Sequence, residues 1–154
     1  MMYPVITISQ PWAALIVSGI KDIENRSWRL PGKSSNCTVL VHTSAKPKFD
    51  GNAARLEQYK RDLPFTDFAP QTTFSGVIIG ALRFNKCIRA EDMRGQLRPS
   101  PWADRTCDRV FCSNGSAFWW MIEKAMPLTP IPAKGRLNFW KFDYPQEITW
   151  PEEI

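Results

Sequence analysis

The sequence predicts a mixed α+β fold built mainly of antiparallel strands, and three features point to it. Short runs of β-branched and other apolar residues recur along the chain, at residues 5–9 (VITIS), 37–43 (CTVLVHT) and 76–84 (GVIIGALRF). Proline and glycine punctuate these runs, most clearly at Leu30-Pro31-Gly32. Helical periodicity is confined to two short stretches, residues 12–19 and 51–62.

Each element has its own signal. Residues 5–9 form the first strand. Ser9 or Gln10 can cap the helix that follows, and Pro11 is tolerated in its first turn. Trp12, Leu15, Ile16 and Gly19 share one face of that helix, and Gly19 supplies its stop. A helix this short must be docked on the sheet to persist. Residues 23–29 make the next strand, ending at the Leu30-Pro31-Gly32 turn. Residues 37–43 follow as a strand, 51–62 as a polar helix contacting through Ala54, Leu56 and Tyr59, and 64–73 as a connector. A long apolar strand over 76–88 is expected to bend near Gly80, as barrel closure requires.

Residues 89–116 carry Gly95, Pro99, Pro101, Gly115 and many charges, and read as an irregular insertion. Residues 117–123 (AFWWMIE) and 136–143 (RLNFWKFD) read as the last strands. Between them Pro127, Pro130 and Pro132 call for an extended connection. With no internal repeat or linker, residues 1–154 are expected to form one domain.

Composition narrows the function classes. Hydrophobic residues make up 44% and charged residues 23%, ordinary for a globular chain. No run reaches the length of a membrane span, and MMYPVITIS lacks the pattern of a signal peptide, so a cytoplasmic protein without a membrane partner is expected. Cys37, Cys87, Cys107 and Cys112 form no C-x-x-C pair, and His42 is the single histidine; neither a metal nor a cofactor is expected. The net charge is +5 with a pI near 9.2. Arg83, Lys86, Arg89, Arg94, Arg98, Arg105 and Arg109 outnumber Glu91, Asp92, Asp104 and Asp108 in the middle third, interleaved with Phe84 and Trp102. Such a surface suits phosphate contacts, and it equally suits a solvated loop.

The strongest candidate site lies in residues 9–29, SQPWAALIVSGIKDIENRSWR. Gly19, Lys21, Glu24 and Arg26 stand in the order G-x-K-x-x-E-x-R. In an extended strand Glu24, Arg26 and Trp28 share one side, with Lys21 in the turn before them. Lys21 can act as a base or steady an oxyanion, and Glu24 can orient it or accept a base's N–H. The same pair also reads as a plain ion pair or a charge-protected edge. Arg26 can clamp a phosphate, and Trp12 and Trp28 offer flat surfaces for a base. Trp119, Trp120 and Trp140 read as core. His42, Ser44 and Lys46 sit where a strand runs into a loop, a common place for ligand contacts, and His42 can equally hydrogen-bond the backbone in a structural role.

The first of these segments resembles the opening of an ASCH domain, a member of the PUA-like superfamily of small β-barrels with flanking helices. The resemblance continues through VLVHTSAK (39–46), GVIIGALRF (76–84) and AFWWMIEKAMPLTPIPAKGRLNFW (117–140). It implies recognition of RNA or a modified nucleobase in a cleft between the barrel and the first helix. Lys21, Glu24 and Arg26 would line the cleft, with Ser9, Gln10 and Trp12 at its rim and His42, Ser44 and Lys46 opposite. The partner would then be RNA or a nucleoside-like small molecule. Some relatives with this motif are amidohydrolases that deacylate N4-acetylcytidine, which makes Lys21 and Glu24 the candidate catalytic pair of an alternative reading. In those enzymes the position of Glu24 is a threonine nucleophile. The departure favours binding here, since a carboxylate does not replace a hydroxyl; Glu24 or Lys21 would have to activate water, with Glu57 or Glu91 as the further acid. A ribonuclease using Lys21 with Tyr59 or Ser116 is a weaker implication.

Overall fold

A computed structural model of the chain describes residues 1–44, 74–103 and 117–153. The helix and connector expected between 51 and 73, and residues 104–116 of the insertion, lie outside them. Among the described residues there are six strands, β1 (Met2–Ile8), β2 (Ile23–Arg26), β3 (Thr38–Thr43), β4 (Val77–Arg89), β5 (Phe118–Pro132) and β6 (Phe139–Asp143), and one α-helix, α1 (Trp12–Val17). They form a single sheet in the order β2-β5-β4-β3-β1-β6. β1 and β3 run parallel, with Val5 opposite Leu40, and the other neighbours are antiparallel.

Both faces of the sheet are covered, which explains the near-continuous apolar runs of the central strands. Ile6, Ile8, Val39, Val41, Ile79 and Leu82 pack into one cluster with α1 and Trp120. Val5, Leu40, Ile78 and Ala81 pack into another with Tyr144 and Trp150 of the C-terminal segment. That segment is pinned by the Ile148 N–H donating to the Tyr3 hydroxyl at 2.8 Å and by Trp150 Nε1 donating to Thr38 Oγ1 at 3.0 Å. Ile79 and Leu82 share a cluster although three residues apart. The register shift between Ile78 and Gly80 accounts for it, since a bulge inverts the alternation. This is the bend expected near Gly80.

α1 is short and apolar all round: Ala13 to Val17 are all buried, not only the face expected from its periodicity. It is wedged between the inner cluster and a third one holding Leu15, Ile23, Trp102 and Trp119. Its start is capped by Gln10, whose Oε1 accepts the Ala14 N–H at 3.1 Å. Its end is a paired glycine cap. Gly19, at φ +79°, donates to Ile16 O and Ile20 donates to Leu15 O, both at 3.0 Å.

Four strand bounds need correction. β1 begins at Met2 instead of residue 5, and β6 begins at Phe139 instead of residue 136. β2 stops at Arg26 instead of residue 29. The proline-rich stretch 127–132 is not a connection but the second half of the fifteen-residue β5. β2 pairs with residues 118–121 of β5 and the Ile122 N–H donates to Asp22 O at 2.9 Å; beyond that, no strand among the described residues pairs with this side of β5. Proline is tolerated on a strand edge, where a missing N–H on the open side leaves no ladder bond unmade.

The sheet is curled into a half-barrel, the PUA-like form expected. Phe139 on the last strand stacks on Trp120 next to the first, with centroids 5.7 Å apart, and Trp28 packs edge-on to both. Curling brings α1 against the bulge. A Cβ on Gly80 would lie 2.4 Å from Val17 Cγ1 and 2.5 Å from the Met126 carbonyl oxygen. Gly80→Ala is therefore expected to destabilise the fold by about 1–3 kcal/mol, the usual cost of overpacking. Urea unfolding checks it, and an unchanged midpoint would show that the helix does not seat on this residue.

Candidate functional site

The end of α1 places Lys21. Its backbone N–H donates to Leu15 O at 3.0 Å, the same carbonyl that closes the helix cap, so the turn delivers the side chain to one position. Lys21 is only 6% exposed. Its Nζ donates to the Ile23 carbonyl and stands 3.8 Å from Glu24 Oε2. On β2, Glu24 lies opposite Trp120 and Arg26 opposite Phe118. Glu24 Oε1 accepts from Arg26 Nε at 3.1 Å, and Arg26 Nη2 donates to the Thr7 carbonyl at 3.0 Å. Lysine, carboxylate and guanidinium thus form one continuous row, as strand alternation predicted, with Arg26 against the Trp120 ring at 5.7 Å.

One atom of this row is unmatched. Glu24 is 8% exposed, yet its Oε2 accepts no hydrogen bond. The 3.8 Å separation from Lys21 is an ion-pair distance, too long for a hydrogen bond. Buried acceptors are nearly always paired, so an orphaned carboxylate oxygen calls for an explanation.

Trp12 and Trp102 wall the lysine. Each ring centroid lies 6.0 Å from Lys21 Nζ, and the two rings meet edge to face at 6.2 Å. Trp102 comes from the insertion and is held from both sides. Its carbonyl accepts from Asn25 Nδ2 at 2.9 Å and its N–H donates to Ser100 Oγ at 3.0 Å. Ser100 in turn donates to Asp22 Oδ1 at 2.6 Å. Asp22, Asn25, Ser100 and the position of Trp102 were beyond sequence reasoning. Nothing local links residues 100–102 to a strand almost eighty positions earlier.

The other expected residues are more dispersed. Gln10 is buried, capping α1 and donating from Nε2 to the Phe74 carbonyl. Ser9, Trp12, Trp28 and Ser44 are half-buried. Trp28 leans on Trp120 and Phe139, and its carbonyl accepts from Trp120 Nε1 at 3.0 Å. Lys46, Glu57, Tyr59 and Ser116 lie outside the described residues. Glu91 is exposed and paired with Arg89 at 2.9 Å. Among the described residues no three His, Cys, Asp or Glu side chains converge as metal ligands, and no helix is long and apolar enough to cross a membrane.

His42 is buried and both ring nitrogens are engaged. Nε2 lies 2.7 Å from the Ala133 carbonyl, which can only accept, so Nε2 carries the proton; Nδ1 lies 3.1 Å from Thr7 Oγ1. The structure gives this ring an internal role, tying β3 to the loop after β5, rather than an open ligand contact. Burial is the main influence on its pKa, pushing it below the ordinary value of 6.5 despite backbone hydrogen bonds that act the other way. A lowered native pKa means the unfolded chain binds the proton more readily. His42 therefore adds stability that is complete above pH 6.5 and is lost as pH falls through its native value. Its imidazole signal, unambiguous as the chain's one histidine, should titrate by NMR with a midpoint below 6.5; a midpoint above it would contradict the packing described.

Known proteins with related sequences bear on this geometry. The chain is 28% identical to human activating signal cointegrator 1 over 142 residues and 27% identical to the mouse protein over 140. Each alignment covers 90% of this chain but 22% of the relative, so the chain spans about a fifth of their length. Among solved structures, the crystal structure of ASCH from Zymomonas mobilis superposes with a TM-score of 0.46 at 14% identity, covering 84% of this chain and 73% of that one. A point-mutant form of it gives 0.46 at 16%, covering 84% and 75%. The model of the ASCH domain family matches residues 6–151, from β1 through the C-terminal segment. The chain belongs to the ASCH domain family, whose PUA-like fold is associated with RNA binding.

Proposed function

We propose that this domain reads a nucleobase, within RNA or as a nucleoside, at the Lys21–Glu24–Arg26 row. The observation that carries the reading is the orphaned Glu24 Oε2, a buried acceptor awaiting a donor. An exocyclic amino group supplies one. Cytosine and adenine each present an amino donor beside an acceptor on their pairing edge, which matches a carboxylate oxygen 3.8 Å from an ammonium. Uracil offers a carbonyl where the amino group would be, and two acceptors would meet. The half-buried Trp12 supplies apolar surface at the rim, and Arg26, with its side chain 24% exposed, supplies charge.

Calorimetric titration with cytidine and uridine tests this. Cytidine should bind at least about tenfold more tightly, since a hydrogen bond to a charged group is worth ~1.5–3 kcal/mol. Glu24→Gln should erase most of that preference while circular dichroism shows a folded chain. Equal affinities for the two nucleosides would sink the proposal.

The same oxygen supports a second reading. Beside the Lys21 ammonium, Oε2 could take a proton from water as the water oxygen attacks the acyl carbon of an N4-acylcytidine, with that proton passing to the leaving amino group. We favour binding, because Lys21 Nζ and Glu24 Oε1 are already engaged with Ile23 and Arg26. Incubation with N4-acetylcytidine should accordingly release no cytidine by chromatography. Cytidine formed by the wild type and not by Lys21→Ala would replace the binding role with a catalytic one.

A further inference from the structure

Away from the N-terminus, the large apolar side chains left exposed among the described residues are Leu97, 92% exposed, and Leu137, 90% exposed. Their settings are alike. Leu97 sits in Arg94-Gly95-Gln96-Leu97-Arg98 and Leu137 in Lys134-Gly135-Arg136-Leu137-Asn138. In both stretches every charged residue is a cation, and Arg94, Arg98, Lys134 and Arg136 are all exposed.

Neither loop hangs free, and their roots lie at opposite ends of the Lys21–Glu24–Arg26 row. The first turns back through Gln96 N–H donating to Met93 O at 3.0 Å, then docks by Ser100 on Asp22, the neighbour of Lys21. The second is held at Ala133 by His42 Nε2. Its Gly135 lies so close to His42 that a Cβ would stand 2.6 Å from Cε1, and its Arg136 carbonyl lies 3.4 Å from the Thr7 hydroxyl. Thr7 is the residue whose carbonyl accepts from Arg26. An exposed leucine on a tethered loop is a presented side chain, not slack chain.

We infer that the two loops are the outer contacts for a single strand of RNA, Leu97 and Leu137 each packing on a base or ribose face and the cations beside them on phosphates. The inference rests on the base-reading proposal above and extends it to a polynucleotide. Alternation of an apolar tip with cations matches a strand that alternates flat apolar bases with anionic phosphates. Within the two five-residue tips the charges are all positive, and although Arg94 is paired with Glu91 at 3.7 Å, the excess of cations favours a polyanion over a protein surface of mixed charge. A single strand fits and a duplex does not, because pairing would consume the amino edge that Glu24 is placed to accept.

The test uses the full chain and its Leu97→Ser/Leu137→Ser double variant, whose exposed positions should leave the melting temperature unchanged. The probe is fluorescein-labelled single-stranded RNA of roughly twelve nucleotides, within the ~4–16 bound by small barrel domains. The double variant should bind the RNA at least about fivefold more weakly while its cytidine affinity, measured by calorimetry, stays the same. Arg136→Ala should flatten the slope of log K against log salt by about 0.7, one phosphate contact on a single strand. Unchanged RNA affinity in the double variant, or equal affinity for the duplex form, would overturn the inference. If the wild type binds cytidine but holds RNA no more tightly, this surface fails alone. If it binds neither, the base-reading proposal fails with it.

Discussion

Arg26 sits where the curl of the sheet closes, and one of its nitrogens acts across that seam while another anchors it to its own strand. Nε holds Glu24 on its own strand, and Nη2 reaches the Thr7 carbonyl on β1, which is the penultimate strand at the far end of the sheet. β2 and β6 are not ladder neighbours, so this charge-assisted bond and the stacking of Phe139 on Trp120 join what backbone pairing leaves open. Hydrogen bonds to charged groups contribute ~1.5–3 kcal/mol, and stranding a buried partner costs more. The half-barrel therefore depends on a guanidinium placed by strand alternation and neutralised in place by Glu24.

The same row holds the one buried carboxylate oxygen of the pair left without a hydrogen bond. A structural ion cluster would be expected to satisfy each of its atoms, because burial without a partner is costly. Here Glu24 divides its two oxygens between different tasks. Oε1 serves the seam, while Oε2 faces the Lys21 ammonium without a hydrogen bond. Closure of the sheet and the proposed base reading thus meet in one side chain. The cap of α1 fixes Lys21 relative to it, so the helix, the seam and the unmatched oxygen form one mechanical unit.

The described part of the insertion completes that unit from outside. Ala90, Trp102 and Ala103 join Leu15, Ile23 and Trp119 in a cluster on the face of β2 opposite Glu24. Asn25 and Asp22 anchor it through hydrogen bonds to the Trp102 carbonyl and to Ser100. A segment rich in glycine, proline and charge thereby becomes the outer wall of the lysine's surroundings. Its irregular backbone is stabilised by side-chain partners on a neighbouring strand rather than by a ladder of its own.

Much of this was legible beforehand, for reasons that are local. β-branched runs announced β1, β3 and β4; a glycine at φ +79° ended α1 where it was expected to; period-two alternation put Glu24 and Arg26 on one face. Gly80 marked the bend because a strand glycine commonly marks a bulge. What stayed hidden depended on neighbours far along the chain. Prolines 127, 130 and 132 suggested a connection, and among the described residues the shortness of β2 leaves β5 an edge where they remain in a strand. The family resemblance put Gln10 and His42 at the cleft, while the residues themselves left Gln10 open as a helix cap and His42 as a backbone contact. Tertiary packing gave Gln10 to the helix cap and His42 to the loop after β5. The sequence by itself determined which side chains share a strand face, since that follows from backbone geometry. The tertiary structure decided which of them are spent on closure and which oxygen is left unmatched, since that depends on partners brought together from opposite ends of the sheet.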